Sequence, residues 1–173
     1  GTFTAPASTT GNQTVSGIGF TPTALLLWTT YQDAAGYTDA LYFGIGVTDG
    51  TSKDWMAGAT DDNTSPNDTN RTFDSTNLVR IENLASTNIR VGAFVSFGSG
   101  EFVINWTTAD AFAPIFHYLA LDLTAELAYA ASTPLSANQS PALTVAPRAL
   151  LLLDNLADSD DCNLPSIGWA TTT

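Results

Sequence analysis

Apolar and polar residues alternate along most of the chain, which is the pattern of a β-strand with one buried face. The clearest case is Glu101–Thr107. There Phe102, Ile104 and Trp106 alternate with Glu101, Val103 and Asn105. Glycine, proline, asparagine and aspartate separate such runs and indicate turns. The predicted strands are Thr2–Thr4, Gln13–Ser16, Thr23–Thr30, Ala40–Thr48, Lys53–Thr60, Leu78–Asn83, Asn88–Phe97, Glu101–Thr107 and Ile115–Leu121.

Two segments depart from simple alternation. Thr23–Thr30 follows Pro22 and is apolar at nearly every position, as in a strand that is buried on both faces. Asp61–Asn77 is rich in Asn and Asp and is predicted to be a long surface loop. No segment carries a convincing helical stripe. About nine short, evenly spaced strands predict an all-β fold, either a β-sandwich or a jelly-roll-like arrangement.

Three blocks of the first part of the chain recur in the same order near its end, which indicates an internal repeat. The matched pairs are Asn12-Gln13 with Asn138-Gln139, Ala24–Leu27 with Ala149–Leu152, and Phe43-Gly44-Ile45 with Ile167-Gly168-Trp169. We therefore predict one sandwich unit over residues 1–125 and a partial second repeat over residues 126–173. The competing interpretation is that Pro-Xaa-Ala-Leu-Leu-Leu is only a common way to begin a strand.

The partial repeat is not expected to form a free-standing domain. It carries the apolar run Leu150–Leu153 but ends before the strands that would cover such a run in the first unit. An uncovered apolar strand with open edges is prone to aggregation, so it needs a cover. The cover is either the first unit of the same chain or a neighbouring subunit, and we expect the neighbouring subunit.

Composition narrows the choice of partners. Only 13% of the residues are charged, against roughly 25% in an ordinary soluble domain, and the formal net charge is −12. Binding to a nucleic-acid backbone or to an anionic membrane surface needs clustered Lys and Arg. No apolar run approaches the ~18 residues of a membrane-spanning helix. We expect no nucleic-acid partner and no membrane insertion. Hydrophobic residues make up 44% of the chain, which favours self-association.

Candidate chemistry is sparse in the sequence. His117 is the only histidine, and no nucleophile motif accompanies it, so His117→Ala is expected to affect stability at most. One His and the single Cys162 cannot form a standard zinc site. The acidic clusters Asp61-Asp62-Asn63 and Asp158–Asp161 do not match a calcium-binding loop and are predicted to be solvated. We expect no enzymatic activity, no cofactor and no bound metal.

Tryptophan is the residue type most suited to a binding platform in this chain, because an exposed indole stacks on sugar rings. Trp28 and Trp106 lie in predicted strands with apolar neighbours and are expected in the core. Trp55, in Lys53-Asp54-Trp55-Met56, is the candidate for a contact with glycan. Burial of Trp55 in the core or in an interface is the competing interpretation.

The first 25 residues and several later blocks resemble a known group of proteins. Thr9–Leu25, which contains Gly17-Ile18-Gly19, resembles the opening of repeat units in tandem-repeat structural proteins of bacteriophages and prophages. Further matching blocks are Phe43-Gly44-Ile45-Gly46, Asn105–Ala111 and His117–Leu121. The second copy departs from the pattern, with Pro141–Thr144 in place of the glycine motif. The resemblance carries over no catalytic or binding residues.

The resemblance implies a role at the virion surface, as a capsid decoration protein or a tail-fibre module. We expect a non-enzymatic structural protein of a virion or extracellular assembly, whose partners are copies of itself and other virion or filament proteins. Its contacts are expected to bury more than about 1,000 Å². The alternative expectation is a carbohydrate-binding β-sandwich module that attaches to surface glycan.

Overall fold

The computed structural model describes residues 1–32, 40–61, 68–83, 87–122, 149–155 and 165–171. These residues form strands, turns and loops and contain no helix, which confirms the all-β prediction. The strands are β1 Thr2–Thr4, β2 Gly11–Ser16, β3 Ala24–Thr29, β4 Ala40–Thr48, β5 Lys53–Asp61, β6 Asp68–Asp74, β7 Val79–Glu82, β8 Asn88–Gly98, β9 Glu101–Thr108, β10 Ile115–Leu121, β11 Ala149–Asn155 and β12 Pro165–Thr171.

The first ten strands form two antiparallel sheets that share one core. The six-stranded sheet has the order β1-β10-β3-β4-β5-β6, and the four-stranded sheet has the order β2-β9-β8-β7. The two sheets approach each other through β7, which contacts β4, β5 and β6. This arrangement agrees with a β-sandwich, whereas the finer jelly-roll assignment stays a prediction.

The core side chains come from the alternating positions of both sheets. Phe102, Ile104 and Trp106 of β9 are fully buried, as their alternation predicts. They meet Leu25 and Leu27 of β3 in the same hydrophobic cluster. Apolar burial of this kind stabilises a fold by about 25 cal/mol per Å², so these five side chains contribute much of the sandwich's stability.

The loop predicted over Asp61–Asn77 is wrong in its second half, because β6 lies within it. β6 is an edge strand that takes its backbone hydrogen bonds from β5. Its two buried inward residues are Thr72 and Asp74, which are polar and hydrogen-bonded rather than apolar. Hydrophobic alternation is therefore missing from this strand, although the strand itself is present.

Two glycines of β4 make room for a tryptophan of β5. A Cβ added at Gly44 would lie 2.1 Å from the Trp55 ring, and one added at Gly46 would lie 2.3 Å from the carbonyl oxygen of Leu78. Both distances are far below van der Waals contact. The Phe43-Gly44-Ile45-Gly46 motif therefore serves the packing of Trp55 against the inner side of β4.

The end of the chain forms a separate two-stranded sheet, β11–β12. These strands pair antiparallel, with Leu151 opposite Trp169, and both lie beside β5 of the larger sheet. They contain two of the three repeat blocks, but residues 138–139 of the third lie outside the described ranges. The repeat and the boundary near residue 125 stay predictions.

Candidate functional surface

Trp55 is fully buried, with 0% of its surface exposed. Its ring lies against Gly44 and Gly46, inside the sandwich. A sugar ring cannot stack on an indole face that solvent does not reach. The assignment of Trp55 as a glycan contact is therefore corrected, and the competing interpretation of core burial describes its place.

Trp28 was predicted to lie in the core, but the structure places it on the outside of a sheet. Because Leu25 and Leu27 point into the core, Trp28 points to the outside of the six-stranded sheet, where it is half-buried. His117 lies directly opposite it in β10. The two rings stack, with centroids 5.6 Å apart and planes inclined by 12°, and His117 is exposed. The structure thus places Trp28, which was expected in the core, beside the exposed His117 on the outside of the sheet.

This pair belongs to a row of residues that crosses the six-stranded sheet. Strand register places His117, Trp28, Ile45, Met56 and Phe73 side by side on successive strands. We call the outward positions of this sheet the outer face. Its apolar and aromatic members in the described side chains are Leu26, Trp28, Phe43, Ile45, Val47, Met56, Phe73, Ile115, His117, Leu119 and Leu121. Ordinary antiparallel sheets turn a polar face to water, so an apolar outer face indicates a second packing surface.

Burial varies strongly across the outer face. Ile45 and Met56, on the central strands, are only 2% and 6% exposed, whereas Phe73 and Leu119, towards the two sides, are each 48% exposed. The inward side of β5 carries Trp55 and faces the four-stranded sheet. Since β11 and β12 lie beside β5, we attribute the cover over Ile45 and Met56 to this hairpin.

The outside of the four-stranded sheet has a different composition. Asn12 pairs with Asn105, Thr14 with Val103, and Ser16 with Glu101 across β2 and β9. These outward positions of β2 and β9 are polar apart from Val103, as expected for a sheet face in contact with water. Val95 of β8 is 47% exposed, so this side of the sandwich also has some apolar surface.

Arg90 is the largest buried polar side chain among the residues that the structure describes, and the sequence analysis did not identify it. It lies on the inward side of β8 with 0% of its surface exposed. Its guanidinium donates to the Asp110 carboxylate at 2.7 Å and to the carbonyl oxygens of Pro6 and Phe112 at 3.0 and 2.5 Å. The ring of Trp106 lies 5.3 Å below it. In the sequence, Arg90 lies between Ile89 and Val91 in a predicted strand. An arginine in such a position needs polar partners if it is buried, and this signal could have indicated the cluster.

Tyr31 completes the same cluster by donating its hydroxyl hydrogen bond to Asp110. Burial raises the pKa of Tyr31 well above its ordinary value, and the hydrogen bond and charge of Asp110 raise it further. The hydroxyl therefore stays protonated at neutral pH and remains a donor. Because these contacts join β8 to the segments before β2 and β10, we assign the cluster a structural role.

A second polar cluster lies where β6 meets β7. Asp74 accepts hydrogen bonds from the backbone and side chains of Thr76 and Asn77. Burial by itself raises the pKa of Asp74, but these hydrogen bonds outweigh it and hold the pKa below its ordinary value. Arg80 forms ion pairs with Asp74 and with Glu82. This network supplies the polar partners that the buried edge of the larger sheet requires.

Several predicted features fall where the structure offers no test. Residues 62–63 and 158–161 of the two acidic clusters lie outside the described ranges, as does Cys162. Within the described residues, no group of three or more potential metal ligands occurs. In the same part of the chain, no helix is long and apolar enough to cross a membrane.

Comparisons with protein-family models, with curated proteins and with solved structures found no match to this chain. The fold and the surface define its class: an all-β protein whose first ten strands form two antiparallel sheets, the larger of which is apolar on both faces. The resemblance to phage structural repeats stays a prediction.

Proposed function

We propose that the protein is a non-enzymatic structural subunit of a virion or extracellular assembly, as a capsid decoration or tail-fibre module. The observation that carries this proposal is the apolar outer face of the six-stranded sheet. Leu119 and Phe73 are each 48% exposed there, and Trp28 is half-buried between them. Large apolar residues that stay exposed on a sheet face are typical of a contact with another protein.

The distribution of charge supports the same proposal. Copies of a chain with a net charge of −12 repel one another wherever acidic groups face each other. At the outward positions of the described strands of the larger sheet, the ionisable side chains are Asp54, Arg71 and His117. Contact through this face therefore brings few like charges together, which lowers the electrostatic cost of assembly.

The test is whether the protein is present in stoichiometric copies in a purified particle or filament from its source. We expect a fixed copy number per particle and loss of incorporation for Leu119→Asp. Val95→Asp is the matched control, because Val95 is 47% exposed on the four-stranded sheet. A protein that is absent from such particles, or whose two variants are incorporated equally, would contradict the proposal.

Carbohydrate binding is the second candidate function, and the stacked pair of Trp28 and His117 is the observation that favours it. A flat aromatic surface on an open sheet suits stacking on a sugar ring. The site differs from the buried Trp55. If the chain binds glycan, Trp28→Ala should abolish binding on a glycan array, while Phe20→Ala, which removes an exposed aromatic ring elsewhere, should leave it intact.

A further inference from the structure

The turn between β4 and β5 contains Asp49-Gly50, the one Asp-Gly pair in the sequence. In such a pair the backbone nitrogen of glycine attacks the neighbouring carboxyl group with little hindrance, because glycine has no Cβ. A bond then forms between the Gly50 nitrogen and Cγ of Asp49. The hydrogen of that nitrogen and the hydroxyl of the protonated carboxyl group leave as water, and the product is a cyclic succinimide.

Hydrolysis of a succinimide changes the main chain. Water adds to one of the two ring carbonyls, and the bond between that carbonyl and the nitrogen breaks. Opening at Cγ restores aspartate, whereas opening at the main-chain carbonyl leaves isoaspartate, with one extra methylene in the main chain. Here the extra methylene would enter the turn that closes the Thr48–Lys53 pair of β4 and β5, two interior strands of the larger sheet.

Both reacting groups of this turn have hydrogen-bond partners. Oδ1 of Asp49 accepts hydrogen bonds from the backbone amides of Thr51 and Ser52, at 2.8 and 2.7 Å. The Gly50 amide donates to Oγ1 of Thr48 at 3.0 Å. The Thr48 hydroxyl in turn donates to the carbonyl oxygen of Ser52 at 2.7 Å. The threonine therefore links the attacking nitrogen to the far side of the turn.

These hydrogen bonds oppose the attack. To reach Cγ, the Gly50 nitrogen has to leave the Thr48 hydroxyl, and the Asp49 carboxylate has to turn away from its two amides. Thr48 is 1% exposed, so water does not compete for its hydroxyl, and breaking a buried hydrogen bond is costly. Packing confines the turn as well, because a Cβ added at Gly50 would lie 3.2 Å from the ring of Phe97.

We propose that Asp49-Gly50 is a latent isomerisation site, which the hydroxyl of Thr48 keeps in the aspartyl form as long as the turn is folded. The modification needs no enzyme and no co-reactant other than water. Local opening of the turn releases the Gly50 amide and the Asp49 carboxylate together, and only then can the ring close. The folded turn therefore protects the centre of the six-stranded sheet from slow chemical ageing.

Thr29 at the end of β3 provides a matched control within the same chain. Its hydroxyl donates to the carbonyl oxygen of Ile115 at 2.7 Å and accepts from the amide of Tyr31 at 2.9 Å, which is the pattern of contacts that Thr48 makes. Thr29 is also fully buried. No Asp-Gly pair follows it, so Thr29→Val removes an equivalent set of hydrogen bonds away from the reactive turn.

The first measurement compares the folded and the unfolded chain. The full chain is incubated at neutral pH with and without urea, and isoaspartate at position 49 is quantified by peptide mapping and mass spectrometry. We expect isoaspartate to form at least about tenfold more slowly in the folded protein, because the reaction then requires local opening of the turn. Equal rates in the two states would overturn the proposal.

Variants test the role of the threonine hydroxyl. Thr48→Val keeps the branched shape without the hydroxyl and should speed isoaspartate formation in the folded protein at least about fivefold, because the turn opens more often. Thr48→Ser, which retains a hydroxyl, and Thr29→Val should both stay near the wild-type rate. A folded Thr48→Val protein without acceleration, or an equal acceleration in Thr29→Val, would overturn the proposal.

Amide hydrogen exchange of the wild-type protein gives a readout that needs no variant. Because the Gly50 amide donates to a buried hydroxyl, its exchange should be at least about tenfold slower than in the unfolded chain. Exchange at the unfolded rate would overturn the proposal. None of these outcomes depends on assembly with other proteins, so the proposed structural function stands or fails separately.

Discussion

The outward positions of the six-stranded sheet hold Leu26, Trp28 and Ile45, whereas those of the four-stranded sheet hold Asn12, Thr14 and Asn105. Both sheets supply large apolar residues to the shared core, and both consist of antiparallel strands. They differ in what lies beyond them. The hairpin β11–β12 lies beside the larger sheet, and the smaller sheet turns Thr, Ser and Asn outwards.

The comparison teaches that a sheet with two apolar faces needs two covers. The four-stranded sheet provides the first cover for the larger sheet, and the hairpin provides part of the second. The uneven burial of Ile45 and Leu119 shows that this second cover is incomplete within one chain. An incomplete apolar cover is a reason for assembly, whereas the mainly polar outward residues of β2 and β9 can face water.

Removal of residues 126–173 should have the largest effect, because it uncovers the outer face. Ile45 and Met56 would become exposed, at a cost of about 1.5–3 kcal/mol each. We expect a loss of about 3–6 kcal/mol in urea unfolding, together with binding of a hydrophobic dye. A truncated chain that keeps its full stability as a monomer but no longer assembles would support exchange of hairpins between subunits instead.

Arg90→Ala should cost about 3–5 kcal/mol, because it leaves Asp110 without its buried partner. This variant tests whether a substitution on the inward side of the smaller sheet lowers the free energy of unfolding. Substitutions on the outside of that sheet are expected to be tolerated. Arg71→Ala is the control, since Arg71 is exposed on β6, and its effect should stay within about 0.5 kcal/mol. Thermal and urea unfolding measure both. Equal losses for the two variants would argue against the buried cluster as an anchor.

Asp74→Asn tests the polar edge at which the two sheets meet. We expect a loss of about 1.5–3 kcal/mol at neutral pH, the usual worth of hydrogen bonds to a charged group. Because folding lowers the pKa of Asp74, its contribution is present above the unfolded value of about 3.9 and is lost as the pH falls through the folded value. Urea unfolding as a function of pH should therefore be flatter below pH 4 in the variant.

Asp54→Asn is the matched control for that pH dependence. Burial first, and then the charge of Asp49, raise the pKa of Asp54, so its ionised form destabilises the fold at neutral pH. The variant should lose no stability at neutral pH. A loss as large as that of Asp74→Asn would contradict the opposite electrostatic environments of the two carboxyl groups.

A pair of identical substitutions gives the smallest and most direct comparison of the two outsides. Val47 and Val103 are both half-buried, on the outer face of the larger sheet and on the outside of the smaller one. Val47→Thr should cost about 1 kcal/mol, because it places a hydroxyl on an apolar face. Val103→Thr should stay within about 0.5 kcal/mol. If both substitutions change the free energy of unfolding equally, the outer face of the larger sheet and the outside of the smaller sheet do not differ in how they tolerate a hydroxyl group.

Strand positions were largely predictable from the sequence. Thr2–Thr4, Ala40–Thr48 and Ile115–Leu121 coincide with β1, β4 and β10, because alternation and turn residues act over a few residues. β6 was not predictable in this way. Its inward residues are polar and take their partners from neighbouring segments, so the sequence shows no apolar period there.

The candidate surface was less predictable than the fold. Trp28 and Trp55 both lie in apolar strands, and alternation cannot decide which of them points inwards. Gly44 and Gly46 decide it, because they make room for Trp55 on the inner side of β4. β8 shows the same ambiguity: its core side holds Arg90, Gly92 and Phe94, while Val95 is 47% exposed.

By itself, the sequence determined the all-β class, most of the strands, the two-sided apolar character of β3 and the acidic, weakly charged nature of the chain. These properties follow from residues that are neighbours along the chain. Only the tertiary structure decided which face of each strand meets the core, where Trp28 and Trp55 lie, and that β11–β12 lies beside β5. The physical reason is that strand alternation defines two faces but not their partners, and partners are chosen by contacts between residues far apart in the sequence.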